Sequence, residues 1–76
     1  MSRVLELLQQ TRPEEDFTRS NDFVKDGLLD SFDLVTLVSD LDKAYGISIS
    51  GLDIVPENFV SVDAIEALLR KSGVTP

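Results

Sequence analysis

Between Asp30 and Gly46 the chain carries one apolar stripe that leaves it little conformational choice. Leu34, Leu37, Val38, Leu41 and Tyr45 recur three or four residues apart. That spacing gathers them on one face of an α-helix and would scatter them over both faces of a strand. Asp30 is a good N-cap, and Asp33, three residues on, is placed to return the hydrogen bond as a box-like partner. Gly46 is the expected stop. A second stripe, Val62, Ile65, Leu68 and Leu69, starts behind Ser61, another N-cap, and ends at Gly73. Arg70 and Lys71 in its last turn suit the negative end of the helix dipole. Val4, Leu5, Leu7 and Leu8 predict a first helix from Ser2 to Gln10, broken before Pro13, and Pro56-Glu57-Asn58-Phe59 predicts one brief helical turn. The expected fold is all-α: a small four-helix bundle of three main helices and one short one, in a single domain spanning residues 1–76.

The rest is connection. Thr11 to Leu29 is long for a linker inside a small domain, and Phe17, Phe23, Leu28 and Leu29 are the residues placed to pin it to a core. Thr11-Arg12-Pro13-Glu14-Glu15-Asp16 reads as a single helical turn with Pro and acids near its start. Ile47-Ser48-Ile49-Ser50 alternates as a short extended segment would. With 76 residues, a domain hides only about 60% of the surface its unfolded chain exposes. That is room for one small core and not for a deep substrate cleft.

Charge narrows the partners. Fourteen acids face seven bases, a net −7. Residues 1–20 contribute −1 and residues 61–76 contribute zero, so residues 21–60 hold −6. A field of that sign repels nucleic-acid phosphates and anionic lipid and speeds encounter with basic protein surfaces. With no Cys and no His, the chain has no thiolate nucleophile, imidazole base or soft zinc ligand. Any sulfur chemistry must arrive on a cofactor. No stretch approaches the ~20 apolar residues of a membrane helix, and the N-terminus lacks the apolar run of a signal peptide. A monomer in the cytoplasm is expected.

Ser31 falls in the first turn of the strongest helix. The unpaired N–H groups there favour an anion, whereas Asp30 and Asp33 oppose one. A phosphate ester on Ser31 would be neither expelled nor gripped, as befits a swinging arm. At ~100° per residue, Phe32 lies opposite the apolar stripe, with Thr36, Ser39 and Lys43, and Val35 is also off it. An exposed aromatic beside Ser31 reads as contact surface.

Gly27-Leu28-Leu29-Asp30-Ser31-Phe32 resembles the Asp-Ser-Leu segment of acyl and peptidyl carrier proteins. The order downstream is similar too: an apolar helix, Tyr45-Gly46-Ile47-Ser48-Ile49, Val55-Pro56-Glu57-Asn58-Phe59, and Ser61-Val62-Asp63-Ala64-Ile65. The resemblance covers most of the chain. It implies that a phosphopantetheinyl transferase attaches 4′-phosphopantetheine from coenzyme A to Ser31. The terminal thiol would then hold acyl or aminoacyl groups as thioesters for loading enzymes and downstream synthases or transferases. It implies an acidic docking face on the second helix, mapped onto Asp30, Asp33, Asp40 and Asp42; joined with the off-stripe Phe32 and Val35, the expected partner-docking residues are Asp30, Phe32, Asp33, Val35 and Asp40. It also implies an acyl-chain shelter among Leu34, Val38, Leu41 and Ile65, and a carrier that is not itself an enzyme. Phe32 in place of the usual Leu, Thr36 where an acid is frequent, and Lys43 on the exposed side depart from fatty-acid carriers. The Gly-Leu-Leu-Asp-Ser run is closer to stand-alone carriers of specialised pathways, D-alanyl carriers among them.

Two other readings use the same residues. With Gly27 at position six of a calcium loop, Asp22, Asp26, Asp30 and Asp33 fall at positions one, five, nine and twelve. Val24 then occupies a ligand position, and Asp33 is shorter than the expected Glu. The other reading is a helical interaction module without a cofactor, in which Asp30-Ser31 is only a helix cap.

Overall fold

The computed structural model describes residues 3–76. Three α-helices form, α1 over Arg3–Thr11, α2 over Ser31–Tyr45 and α3 over Val62–Lys71. Three single 3-10 turns, Phe17–Arg19, Gly51–Asp53 and Pro56–Asn58, lie in the connections, and no strand occurs among the described residues. The fold is all-helical. The short element expected at Pro56 is one 3-10 turn with Pro at its start. Ser2, the expected start of the first helix, lies outside the described residues.

Each helix ends where the local chemistry ends it. At α2 the capping box is complete: the Asp33 N–H donates to Asp30 Oδ1 at 2.9 Å, and the Asp30 N–H donates to Asp33 Oδ2 at 3.1 Å. Gly46 closes the helix at φ 65°, the left-handed conformation that costs a side-chain-bearing residue about 1 kcal/mol. Ser61 caps α3 by accepting from the Ala64 N–H at 3.0 Å. Beyond Lys71, Gly73 turns to φ 85° and Val74 bonds back to the Leu69 carbonyl.

The core is one cluster. Val4, Leu7 and Leu8 of α1, Leu34, Leu37, Val38 and Leu41 of α2, and Ile65, Leu68 and Leu69 of α3 are all buried. Here α1 is the central element, packed against α2, α3 and the first 3-10 turn. Of the four residues expected to pin the long connection, Phe17, Phe23 and Leu29 are buried, while Leu28 is half-buried against the core. Phe17 and Phe23 meet edge to face, with ring centroids 5.0 Å apart, a geometry that adds about 1 kcal/mol to their burial. The Phe23 N–H also donates to the Val60 carbonyl at 2.7 Å, tying this connection to the segment before α3. Within Thr11–Asp16 one hydrogen-bonded turn forms, the Glu15 N–H donating to the Arg12 carbonyl at 3.1 Å, and a separate 3-10 turn follows at Phe17–Arg19, where Asp16 caps it through the Thr18 N–H. The Ile47–Ser50 segment is neither helix nor strand. Its Ile49 is buried, and Asp42 Oδ1 accepts the Ile49 N–H at 3.0 Å.

Candidate functional site

At two other starts, Gly51–Asp53 and α3, a serine hydroxyl does the capping. Ser50 accepts from the Leu52 N–H and Ser61 from the Ala64 N–H. At α2 Asp30 does that work, which displaces Ser31 to the first helical position. Ser31 is exposed, and its hydroxyl makes no hydrogen bond among the described residues. The sequence therefore sets an unengaged hydroxyl at the positive end of a fifteen-residue helix.

Phe32 and Val35 stand beside it, 82% and 62% exposed. They lie three residues apart and so neighbour each other on the outer face of α2. Exposure of both follows the wheel position read from the sequence. Leu52, in the 3-10 turn Gly51–Asp53, is a third exposed apolar side chain at 90%. Nothing in its local sequence pattern distinguished it.

The acids near Ser31 divide into different roles. Asp30 is exposed and Asp40 half-buried. Asp33 is only 16% exposed, and its Oδ2 takes a second donor, Arg12 Nη1, at 2.7 Å. Arg12, 29% exposed, also pairs with Glu14 through Nε. The Arg12 guanidinium is held protonated more firmly than usual by its hydrogen bonds to Glu14 and then Asp33. Partial burial pushes the Asp33 carboxyl up. The Asp30 N–H and Arg12 outweigh it and hold Asp33 below the ordinary carboxylate range. Glu14 is lowered by its own backbone N–H and by Arg12. Asp42 faces inward to the Ile49 N–H. The acidic face read from sequence is therefore uneven: Asp33 already has a counter-cation and Asp42 already has a donor. Sequence reasoning missed Arg12. An ion pair between residues 21 apart leaves no local pattern.

The four carboxylates of the calcium-loop reading have separate tasks. Asp22 accepts from the Val24 and Lys25 N–H groups, Asp26 from the Ser20 hydroxyl, and Asp30 and Asp33 from each other's backbone. Among the described residues no three His, Cys, Asp or Glu side chains gather as a metal-binding group. The expected shelter residues Leu34, Val38, Leu41 and Ile65 are all buried in the closed core. An open depression of about 360 Å³ lies elsewhere, between the long connection and the Pro56 turn, lined by Asp22, Val24, Lys25, Pro56, Glu57 and Val60. No helix among the described residues is long and apolar enough to cross a membrane.

A 4′-phosphopantetheine arm needs one thing of its carrier, a hydroxyl that is exposed and not tied into the fold, with open space around it. Ser31 fits that requirement. Comparison with protein-family models, curated proteins and solved structures gave no match.

Proposed function

We propose that this chain is an acyl carrier protein whose Ser31 bears 4′-phosphopantetheine, on a fold of the small four-helix carrier type in which the Pro56 turn stands for the short helix. The observation that carries the reading is the division of labour at the start of α2. Asp30 caps the helix, and the Ser31 hydroxyl is left without a hydrogen bond among the described residues at an exposed turn. Asp30 and Asp33, the acids that flank Ser31, accept backbone N–H groups in the capping box, and neither hydrogen-bonds the Ser31 hydroxyl. The attachment is therefore the work of a transferase. Its product is a phosphodiester between Ser31 Oγ and the pantetheine, with adenosine 3′,5′-bisphosphate leaving from coenzyme A. When bound, the arm supplies the thiol that this cysteine-free chain lacks.

The chain's own residues then serve docking. Phe32 and Val35 give a partner apolar area, and Asp30 and Asp40 give it negative charge. Such a surface suits the basic faces of a phosphopantetheinyl transferase, a loading enzyme and a downstream synthase. Cargo sheltered among Leu34, Val38, Leu41 and Ile65 has to part side chains that are closed together here. Catalysis belongs to the partners, and the chain acts as a cytoplasmic shuttle.

The test is intact mass. Wild type and Ser31→Ala are incubated with coenzyme A and a broad-specificity phosphopantetheinyl transferase. The expected result is one added arm on the wild type and none on Ser31→Ala, with both folded by circular dichroism. A folded, unmodified wild type that several transferases leave unchanged refutes attachment and favours a cofactor-free interaction module built on Phe32 and Val35.

A further inference from the structure

Among the described residues, Arg12 is the side chain that ties the end of α1 to the turn bearing Ser31 through an ion pair. It follows α1 directly, its N–H still bonded to the Leu8 carbonyl at 3.0 Å. Its guanidinium reaches 21 residues along the chain to Asp33. The oxygen it meets, Asp33 Oδ2, is the same one that accepts the Asp30 N–H. Glu14 holds the guanidinium from the other side through Nε, so the fork is fixed at both ends and cannot swing away freely. Without Arg12, Asp33 is a largely covered carboxylate with one backbone donor, and turning toward water becomes its better option. That movement releases the Asp30 N–H and undoes half of the box that frames Ser31.

We infer that Arg12 is a positioning residue for Ser31: through Asp33 it locks the first turn of α2, and with it the direction in which the serine hydroxyl is presented. The inference rests on the carrier reading for its consequence, since presentation matters because Ser31 is modified. The lock itself is a property of the chain and can be measured without any transferase.

The experiment uses the full chain as wild type, Arg12→Gln, Arg12→Lys and Glu14→Gln. Amide hydrogen exchange is followed by NMR, and loading kinetics by intact mass with coenzyme A and a broad-specificity transferase. Position 12 is far in sequence from 30 and 33, so the intrinsic exchange rates of those amides do not change. In Arg12→Gln the Asp30 and Asp33 amides should exchange about threefold faster, the size expected for losing one partly exposed pair. Amides of Leu37, Leu41 and Ile65 should not change. Loading should lose about threefold in kcat at constant KM, because the docking residues are intact and only presentation suffers. Arg12→Lys restores the charge but not the fork and should recover only part of both effects, and Glu14→Gln, which loosens one end of the fork but leaves the Asp33 contact, should change both by less than Arg12→Gln does.

Unchanged exchange at Asp30 and Asp33 overturns the inference. So does a uniform rise that includes the core amides, which would mark Arg12 as a general stabiliser. Faster loading of Arg12→Gln also overturns it, since that is the result expected if Arg12 only screens Asp33 from a cationic partner. A wild type that no transferase loads refutes the carrier reading, while the exchange data still decide whether Arg12 locks the turn.

Discussion

Replacing Asp33 by Ala removes one carboxylate and strands two groups. The Asp30 N–H loses its acceptor at 3.1 Å, and Arg12 keeps only Glu14. The apolar stripe of α2 is untouched, because Asp33 lies off it. Loss of a capping interaction costs about 1 kcal/mol, within a range of roughly 0.5–2. For a domain of this size 1 kcal/mol corresponds to a fall in Tm of about 4–8 °C. Urea unfolding followed at 222 nm should show a lower midpoint with an unchanged slope, since no core surface is newly exposed in the native state. Acid supplies a second, independent check. The folded-state pKa of Asp33 is depressed, so its contribution is fully present above the unfolded value of about 3.9. That contribution is lost as pH falls through the folded value. The stability gap between wild type and Asp33→Ala should therefore be constant near neutrality and narrow in acid below about pH 4. A midpoint equal to wild type at pH 7, or a gap that widens in acid, would refute the assignment of Asp33 to the cap and the ion pair.

Other substitutions probe other parts of the argument. The Tyr45 hydroxyl is buried without a hydrogen-bond partner among the described residues, and its ring centroid lies 5.9 Å from the Arg3 guanidinium carbon. Tyr45→Phe keeps the ring and removes the orphaned group, so thermal melting should show equal or higher stability, by up to about 1 kcal/mol; a clear loss would mean that the hydroxyl has a partner. Leu41→Ala, at a fully buried core position, should cost about 2–5 kcal/mol in urea unfolding, and a cost under 1 would contradict its place in the core. Phe32→Ala, at an 82% exposed position, should leave the midpoint within about 0.5 kcal/mol and raise KM for transferase loading. Unchanged loading kinetics would remove Phe32 from the docking surface. Asp40→Lys should slow loading at low salt and converge with wild type as salt rises; equal rates at low ionic strength would take Asp40 out of that surface.

The sequence by itself determined the helices and their ends. Periodicity, capping residues and glycine conformation act over three or four residues, and those distances are legible in one dimension. Asp30 with Asp33, Ser61, Gly46 and the apolar stripes all took the places their chemistry indicated. The exposure of Phe32 and Val35 was legible for the same reason, since a wheel position follows from sequence once the helix is fixed. The calcium-loop spacing shows the limit of that reasoning. Four acids at suggestive intervals do not gather as a metal-binding group among the described residues; Asp22, Asp30 and Asp33 accept from backbone N–H groups and Asp26 from the Ser20 hydroxyl.

Tertiary structure alone decided the rest. It made α1 the hub of the packing and closed Leu34, Val38, Leu41 and Ile65 into one core. It turned Asp42 toward the Ile49 N–H, and it brought Arg12 to Asp33. Such contacts join residues whose separation along the chain carries no information about their distance in space. The free hydroxyl of Ser31 depends on both levels. The Asp-Ser order is written in the sequence, but the box that keeps Asp30 on the cap is completed by Asp33, and the carboxylate of Asp33 is held by a cation that only the fold delivers.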